Sequence, residues 1–418
     1  MSPRAAALIG FMVGLPLAGC FPSGGGSSTG TGGTTGGSGT GGSPPMTVMK
    51  DPSNYPNTAG AAFPYPQGHA SAYCTFPIYN TDVIETAYAN WKTKFFDGSK
   101  VIRPENGNDT VSEGIGYGML LSVFMNDQTT FDALWSFESS HKDGNGLMNW
   151  CVASSGSGSC SGSGAATDAD EDMAYALVMA SKQWSGGSYA SEATTQINAI
   201  MSHEVESGSN VLKPGDNFGG ASEMDPSYLA PSYYRTFASV TGNSKWMDVL
   251  NESYTILAAV SGQYGLVPNW ATSSGTGIAG TSTNGTGPDF SYDACRTPFR
   301  IAMAYCLNGA SQAQTYANLI AGFYASKATT TVSTLRDGYT PTGTALDGNP
   351  AGMSFTGPGG VAAMAAGQNG FRDLVYTTLV ADTTEGGLKI AGVFTYYDGS
   401  WGVLSLLAMS GNFWDMTQ

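Results

Sequence analysis

Three short acidic blocks carry most of the side chains in this sequence that could do chemistry. Glu113 stands in Thr110-Val111-Ser112-Glu113-Gly114-Ile115-Gly116-Tyr117-Gly118. Asp168 opens Asp168-Ala169-Asp170-Glu171-Asp172, and Asp293 lies in Ser291-Tyr292-Asp293-Ala294-Cys295-Arg296. Two carboxyl groups in different environments can act as general acid and general base, one keeping its proton and the other losing it. Each block also sits where a loop runs into a helical pattern. There an acid in the first turn meets the helix dipole and caps free N–H groups, so for any one block alone capping is a sufficient explanation.

Glu113 differs from an ordinary cap because Gly114, Gly116, Gly118 and Tyr117 surround it. Each glycine weakens a helix by roughly 1 kcal/mol, so this density implies close approach of a ligand or of another helix. A carboxyl partly buried at such a place is raised in pKa and keeps its proton. Asp293 has Arg296 three residues on, near enough on a helical turn to pair with it and lower its pKa, as a base requires; a structural salt bridge has the same signature. The alternating acids after Thr167 resemble the start of a calcium loop, but the positions needing Gly and Glu are Met173 and Met179. Met173, Ala176, Leu177 and Ala180 form an apolar helical stripe instead.

Other chemistries find little support. Gly-x-Ser-x-Gly occurs only from Gly26 to Gly30 in a low-complexity stretch, there is no Cys-x-x-Cys, and the histidines are His69, His141 and His203. No metal site and no cofactor are expected. With 17 Lys+Arg against 32 Asp+Glu, a formal charge of −15, and no basic run, nucleic acid and anionic membranes are poor partners. A neutral or cationic polysaccharide suits this field better.

The elements that must position the acids read as helices. Trp246, Val249, Leu250, Tyr254, Leu257 and Val260 form one apolar stripe, with Asn243 or Ser244 as N-cap and Gly262 as the stop. Similar patterns cover 78–96, 112–126, 129–141, 168–184, 189–206, 226–241, 244–261, 292–309, 311–326, 358–368, 369–382 and 399–411. Twelve helices in consecutive pairs predict an all-α fold, an α/α barrel of six hairpins; a stacked solenoid is disfavoured because no fixed repeat is visible. Long glycine-rich connections at 142–167, 207–225, 262–291 and 327–357 should gather at one end and shape a cleft.

Residues 1–20 read as an export signal, with Arg4, an apolar run from Ala5 to Leu17, and Leu17-Ala18-Gly19-Cys20. That ending resembles a lipobox, which implies lipidation of Cys20; cleavage near Ala18 or Gly19 is the plain alternative. Residues 21–45, rich in Gly, Ser and Thr, read as a flexible tether, and 46–418 as one catalytic domain. Five cysteines follow Cys20. Cys151 and Cys160 make the natural disulfide, and at least one thiol among Cys74, Cys295 and Cys306 must stay free.

Taken in order, the acidic blocks resemble those of glycoside hydrolase family 8, a family of bacterial endoglucanases, chitosanases, licheninases and some xylanases. The resemblance covers nearly all of 78–418. It includes Val101-Ile102-Arg103-Pro104, Gly146-Leu147-Met148-Asn149-Trp150, Asp225-Pro226-Ser227-Tyr228, Leu266-Val267-Pro268-Asn269-Trp270 and Ser410-Gly411-Asn412-Phe413. It implies an (α/α)6 barrel, Glu113 as proton donor and Asp293 as the base activating water. It also implies Asp168 holding and distorting the sugar before the scissile bond, Tyr228 bonding the water, and Arg296 orienting Asp293. Trp150, Phe218, Tyr292 and Tyr396 take the stacking positions of the cleft. Two positions depart from the family pattern: Asp225 stands where relatives commonly have Asn, and Phe218 where a cleft Trp is often found.

The expected function is therefore an inverting endo-β-1,4-glucanase acting on cellulose or a related β-glucan. A chitosanase or xylanase on the same scaffold is the alternative within hydrolases. Outside them stands a catalytically inactive carbohydrate-binding lipoprotein, which would need the aromatic rings but no acid–base pair. The protein is expected to be exported and monomeric. It would be lipid-anchored at the outer membrane or cell surface, or else secreted or periplasmic, touching membrane only through its anchor.

Overall fold

The computed structural model describes residues 60–76, 81–160, 162–280, 287–384 and 395–418. The stretches read as export signal and tether, Cys20 with them, and residues 46–59 lie outside the described residues. Among the described residues twelve α-helices run α1 (Thr81–Phe95), α2 (Ser112–Phe124), α3 (Gln128–Ser139), α4 (Thr167–Gln183), α5 (Tyr189–His203) and α6 (Pro231–Thr241). They continue α7 (Lys245–Val260), α8 (Thr297–Asn308), α9 (Ser311–Lys327), α10 (Met353–Ala365), α11 (Asn369–Thr384) and α12 (Tyr396–Met409).

Even-numbered helices form an inner ring: α2, α4, α6, α8, α10 and α12 each touch the next, and α12 returns to α2. Odd-numbered helices form the outer layer, with α3 on α2, α5 on α4, α7 on α6, α9 on α8, α11 on α10 and α1 on α12. The fold is an (α/α)6 barrel. Burial follows from this order: α10 is enclosed along its whole length, whereas α7 buries only the Trp246–Val260 stripe.

Short turns lead from α2, α4, α6, α8 and α10 to their outer partners, as at Gly242 and Gly309, both left-handed. Long connections lead back, so the N-termini of the inner helices and all the long loops share one end of the barrel. The far end is closed by the segment before α1 and the tail after α12. Gln67 N donates to Asn412 Oδ1 at 2.7 Å, and a disulfide joins Cys74 to Cys306 in α8.

Three helical segments depart most from the sequence reading, while α5 ends at His203 rather than 206 and α12 begins at Tyr396 rather than 399. The 226–241 segment divides into a 3-10 turn, Pro226–Tyr228, and α6; the 292–309 segment divides into a 3-10 turn, Ala294–Arg296, and α8. Apolar periodicity does not separate a single 3-10 turn from an α-helical one. Helix α10 starts five residues before the expected 358, and Pro358 lies inside it. The glycines beside Pro358 are packing positions. A Cβ on Gly359 would meet the Tyr324 ring at 2.3 Å, and one on Gly360 would meet Val375 at 2.6 Å.

Candidate active site

Glu113 occupies the first turn of α2, placed there by a short antiparallel pairing of β1 (Thr110–Val111) with β2 (Cys151–Val152). Ser112 N donates to Trp150 O at 2.9 Å, so the start of α2 and the 140–166 loop move as one piece. That loop is tied by the Cys151–Cys160 disulfide, and Cys160 N donates to Asp109, itself paired bidentately with Arg103 at 2.7 Å. The glycines of α2 serve close contacts with protein: a Cβ on Gly116 would lie 3.1 Å from Asp172 of α4, and one on Gly118 would lie 2.6 Å from Leu134 of α3.

Asp168 sits in the first turn of α4, and Asp293 precedes the turn into α8. Asn269 fixes that approach, since its Oδ1 accepts Ser291 N at 3.1 Å and Ala294 N at 2.9 Å, on either side of Asp293. Trp270 Nε1 donates to Asp293 Oδ2 at 3.1 Å. Four of the six inner N-termini thus bring Glu113, Asp168, Asp293 and Tyr396 to the same end, where helix dipoles favour negative charge.

Arg296 stands at the centre with its side chain 3% exposed. Its Nη1 donates to Glu113 Oε2 at 2.9 Å and to Asp168 Oδ2 at 2.5 Å, and Nη2 donates to Asp225 Oδ2 at 3.2 Å. The Tyr228 ring lies 5.0 Å from the guanidinium. Toward Asp293, Arg296 offers only Nε, which donates to the backbone carbonyl at 3.0 Å. The expected side-chain pairing is therefore corrected: the guanidinium passes Asp293 and serves three other carboxyls. The expected pKa direction is corrected with it. Burial raises the Asp293 carboxyl above its usual value, outweighing the pull of Arg296 and the Trp270 hydrogen bond.

Glu113 remains 21% exposed, a carboxyl at a cleft wall. Burial raises it to about 7; Asp168 adds to the rise, while Arg296 and the hydrogen bond from Tyr396 oppose it. Tyr396, in the first turn of α12, is buried and donates its hydroxyl to Glu113 Oε1, and its backbone N–H donates to Glu105 at 3.1 Å. Tyr292 is 36% exposed, braced by Asp337 at 3.0 Å through its hydroxyl and by Tyr397 at 2.7 Å through its carbonyl. Trp150 is half-buried against Gly162. Phe218 is also half-buried, 6.5 Å from the Trp270 ring.

Asp225, Asn269 and Trp270 are the residues the sequence reading did not assign to the site. All three lie in blocks that carry the resemblance, so the signal was present, but their partners are 22–71 positions away. The free thiol among the described residues is Cys295, buried. Among the described residues, no group of three or more His, Cys, Asp or Glu could hold a metal ion. No helix of the described residues is long and apolar enough to cross a membrane.

A helical barrel with paired carboxyls at the inner-helix N-termini is the arrangement of a glycosidase. The chain matches the family model described as glycosyl hydrolases family 8 over residues 55–411, and it belongs to that family. It is 37% identical to endoglucanase A of Acetivibrio thermocellus, an alignment covering 88% of this chain and 77% of that one. It is 32% identical to a beta-glucanase of Niallia circulans, over 79% of this chain and 85% of that one. Among solved structures it is similar to a beta-1,3-1,4-glucanase from Paenibacillus sp. X4, with TM-score 0.76 and 29% identity over 84% of this chain and 99% of that one. A xylanase from Teredinibacter turnerae shares the fold, with TM-score 0.68 at 21% identity over 81% of this chain and 96% of that one.

Proposed function

We propose that this glycoside hydrolase is an inverting endo-β-1,4-glucanase in which Glu113 is the general acid and Asp293 the general base. The observation that carries the reading is the difference between the two carboxyls. Glu113 is raised to about 7 and bonded by Tyr396 and Arg296, so it holds a proton near neutral pH and can deliver it to the departing sugar oxygen. Asp293 is held by Trp270 on one oxygen, which leaves the other to take a proton from water attacking the opposite face of the ring. Asp168 and Tyr228, both touching Arg296, are the groups that hold the sugar and the water. The exposed Tyr292 ring is a stacking surface, with Trp150 and Phe218 further along the loops.

Substrate choice rests on the relatives named endoglucanase and beta-glucanase. The structural similarity to a beta-1,3-1,4-glucanase supports mixed-linkage glucan as a second substrate. Reducing-sugar release measured side by side should be fastest on carboxymethylcellulose or lichenan; fastest release on xylan or chitosan would overturn the choice. The Leu17-Ala18-Gly19-Cys20 sequence supports export with a lipid anchor. Partitioning into detergent should then be lost in Cys20→Ala, and unchanged partitioning would reject the anchor.

A further inference from the structure

Three carboxyl groups bond one guanidinium, and a fourth, that of Asp293, lies within its electrostatic reach. Arg296 reaches Glu113, Asp168 and Asp225 through its terminal nitrogens and the carbonyl of Asp293 through Nε. The neighbouring cations are committed elsewhere, Arg103 to Asp109 and Arg300 to Asp172. With all four carboxyls ionised, the barrel end would hold three uncompensated negative charges, and such groups neutralise by binding protons. The proposed reaction places one proton on Glu113 and leaves Asp293 without one; Asp168, Asp225 and Asp293 then face one cation, and a second proton on a group that does not react reduces that surplus.

Geometry selects Asp225. Its side chain is 1% exposed, and at 3.2 Å it has the longest ion-pair contact with Arg296, against 2.5 Å for Asp168 and 2.9 Å for Glu113. Its other oxygen accepts Ser227 N at 2.8 Å and so holds the turn that presents Tyr228. We propose that Asp225 is a positioning residue that carries this second proton: while neutral it leaves Arg296 to Glu113 and Asp168, and when it ionises it draws the guanidinium away and sets a negative charge beside Asp293. The inference rests on the acid–base assignment above.

Burial lifts the Asp225 carboxyl to about 8; Arg296 pulls it down and the charge of Asp293 pushes it further up. The titratable and charged groups that face it are Arg296 and Asp293 from the segment entering α8 and the Tyr228 phenol of its own turn. Asp168 from α4 and Glu113 from α2 reach it through Arg296.

The test is the pH profile of kcat/KM on a soluble cello-oligosaccharide, for the wild type and Asp225→Asn. Loss of two protons, from Glu113 and Asp225, makes the wild-type alkaline limb approach a slope of about two above pH ~8, and the variant limb keeps a slope of about one. The ratio of variant to wild-type kcat/KM therefore rises about tenfold between pH ~7 and pH ~9, whatever its level at lower pH. A ratio that stays flat overturns the inference, since a fixed hydrogen bond would cost the same at every pH. Should Asp225→Asn fail to fold, a wild-type limb with a slope of about one overturns it alone. Glu113→Gln separates the two claims: turnover in that variant would sink the acid assignment, whereas a dead Glu113→Gln with a flat ratio sinks only the role of Asp225.

Discussion

Arg296 and Arg300 lie one helical turn apart at the start of α8, and Asp168 and Asp172 lie one turn apart at the start of α4. The two levels of this ladder are built differently. Arg300 binds Asp172 with both terminal nitrogens, at 2.9 and 2.7 Å, and each side chain is 2% exposed. Arg296 divides the same donors among three carboxyls, one of which opens to solvent. The lower level is a matched pair, one guanidinium joined to one carboxylate by two hydrogen bonds. The upper level has more acid than cation, and burial, with that surplus adding to it, keeps a carboxyl protonated near neutral pH. Pairing at the lower level fixes the height of α8 against α4, which sets where the upper guanidinium sits.

The largest effect should come from removing each arginine in turn. Arg296→Met is expected to lower kcat by about 100-fold or more, because Glu113 and Asp168 lose their shared donor at the reacting centre. Arg300→Met leaves Asp172 buried without its cation and should cost about 3–5 kcal/mol of stability, while kcat per folded molecule changes far less. Denaturant melts and active-site-normalised turnover would check both. Equal losses of turnover in the two variants would show that the levels do not differ as described.

A smaller effect sharpens the same contrast through pH. The Glu113 carboxyl is raised from 4.5 to about 7 on folding, so the folded state holds its proton more tightly than the unfolded chain does. Its contribution to stability is therefore fully present below pH ~4.5 and is lost as pH rises through about 7. Glu113→Gln, which cannot ionise, should raise the melting temperature relative to wild type more at pH ~8 than at pH ~4. An equal difference at both pH values would mean that Glu113 is not strained as a carboxylate.

Much of this site could be read along the chain. The acids stand in short blocks with glycines and aromatics, and the long glycine-rich connections mark the end of the barrel where inner helices begin. What could not be read are contacts that join distant positions. Arg296 meets Glu113 across 183 residues and Asp168 across 128, so its three residues of separation from Asp293 pointed to the wrong carboxyl. Local spacing places a residue on a helical turn but does not say which neighbour its side chain will reach. The pairing of Cys74 with Cys306, 232 residues apart, was equally beyond local pattern. The early start of α10 was hidden because Pro358 suits the first turn of a helix and Gly357 before it opposes helix by propensity, a preference that tertiary packing overrides.

The central claim is that a protonated Glu113 and a basic Asp293 act on opposite faces of the sugar, with water attacking directly. Proton NMR of cello-oligosaccharide hydrolysis tests it most directly, by following the anomeric signals before mutarotation. The account predicts that the α-anomer appears first from the β-linked substrate and that Asp293→Asn lowers its rate of appearance by about 100-fold or more. Initial release of the β-anomer, or near-normal turnover in Asp293→Asn, would contradict it.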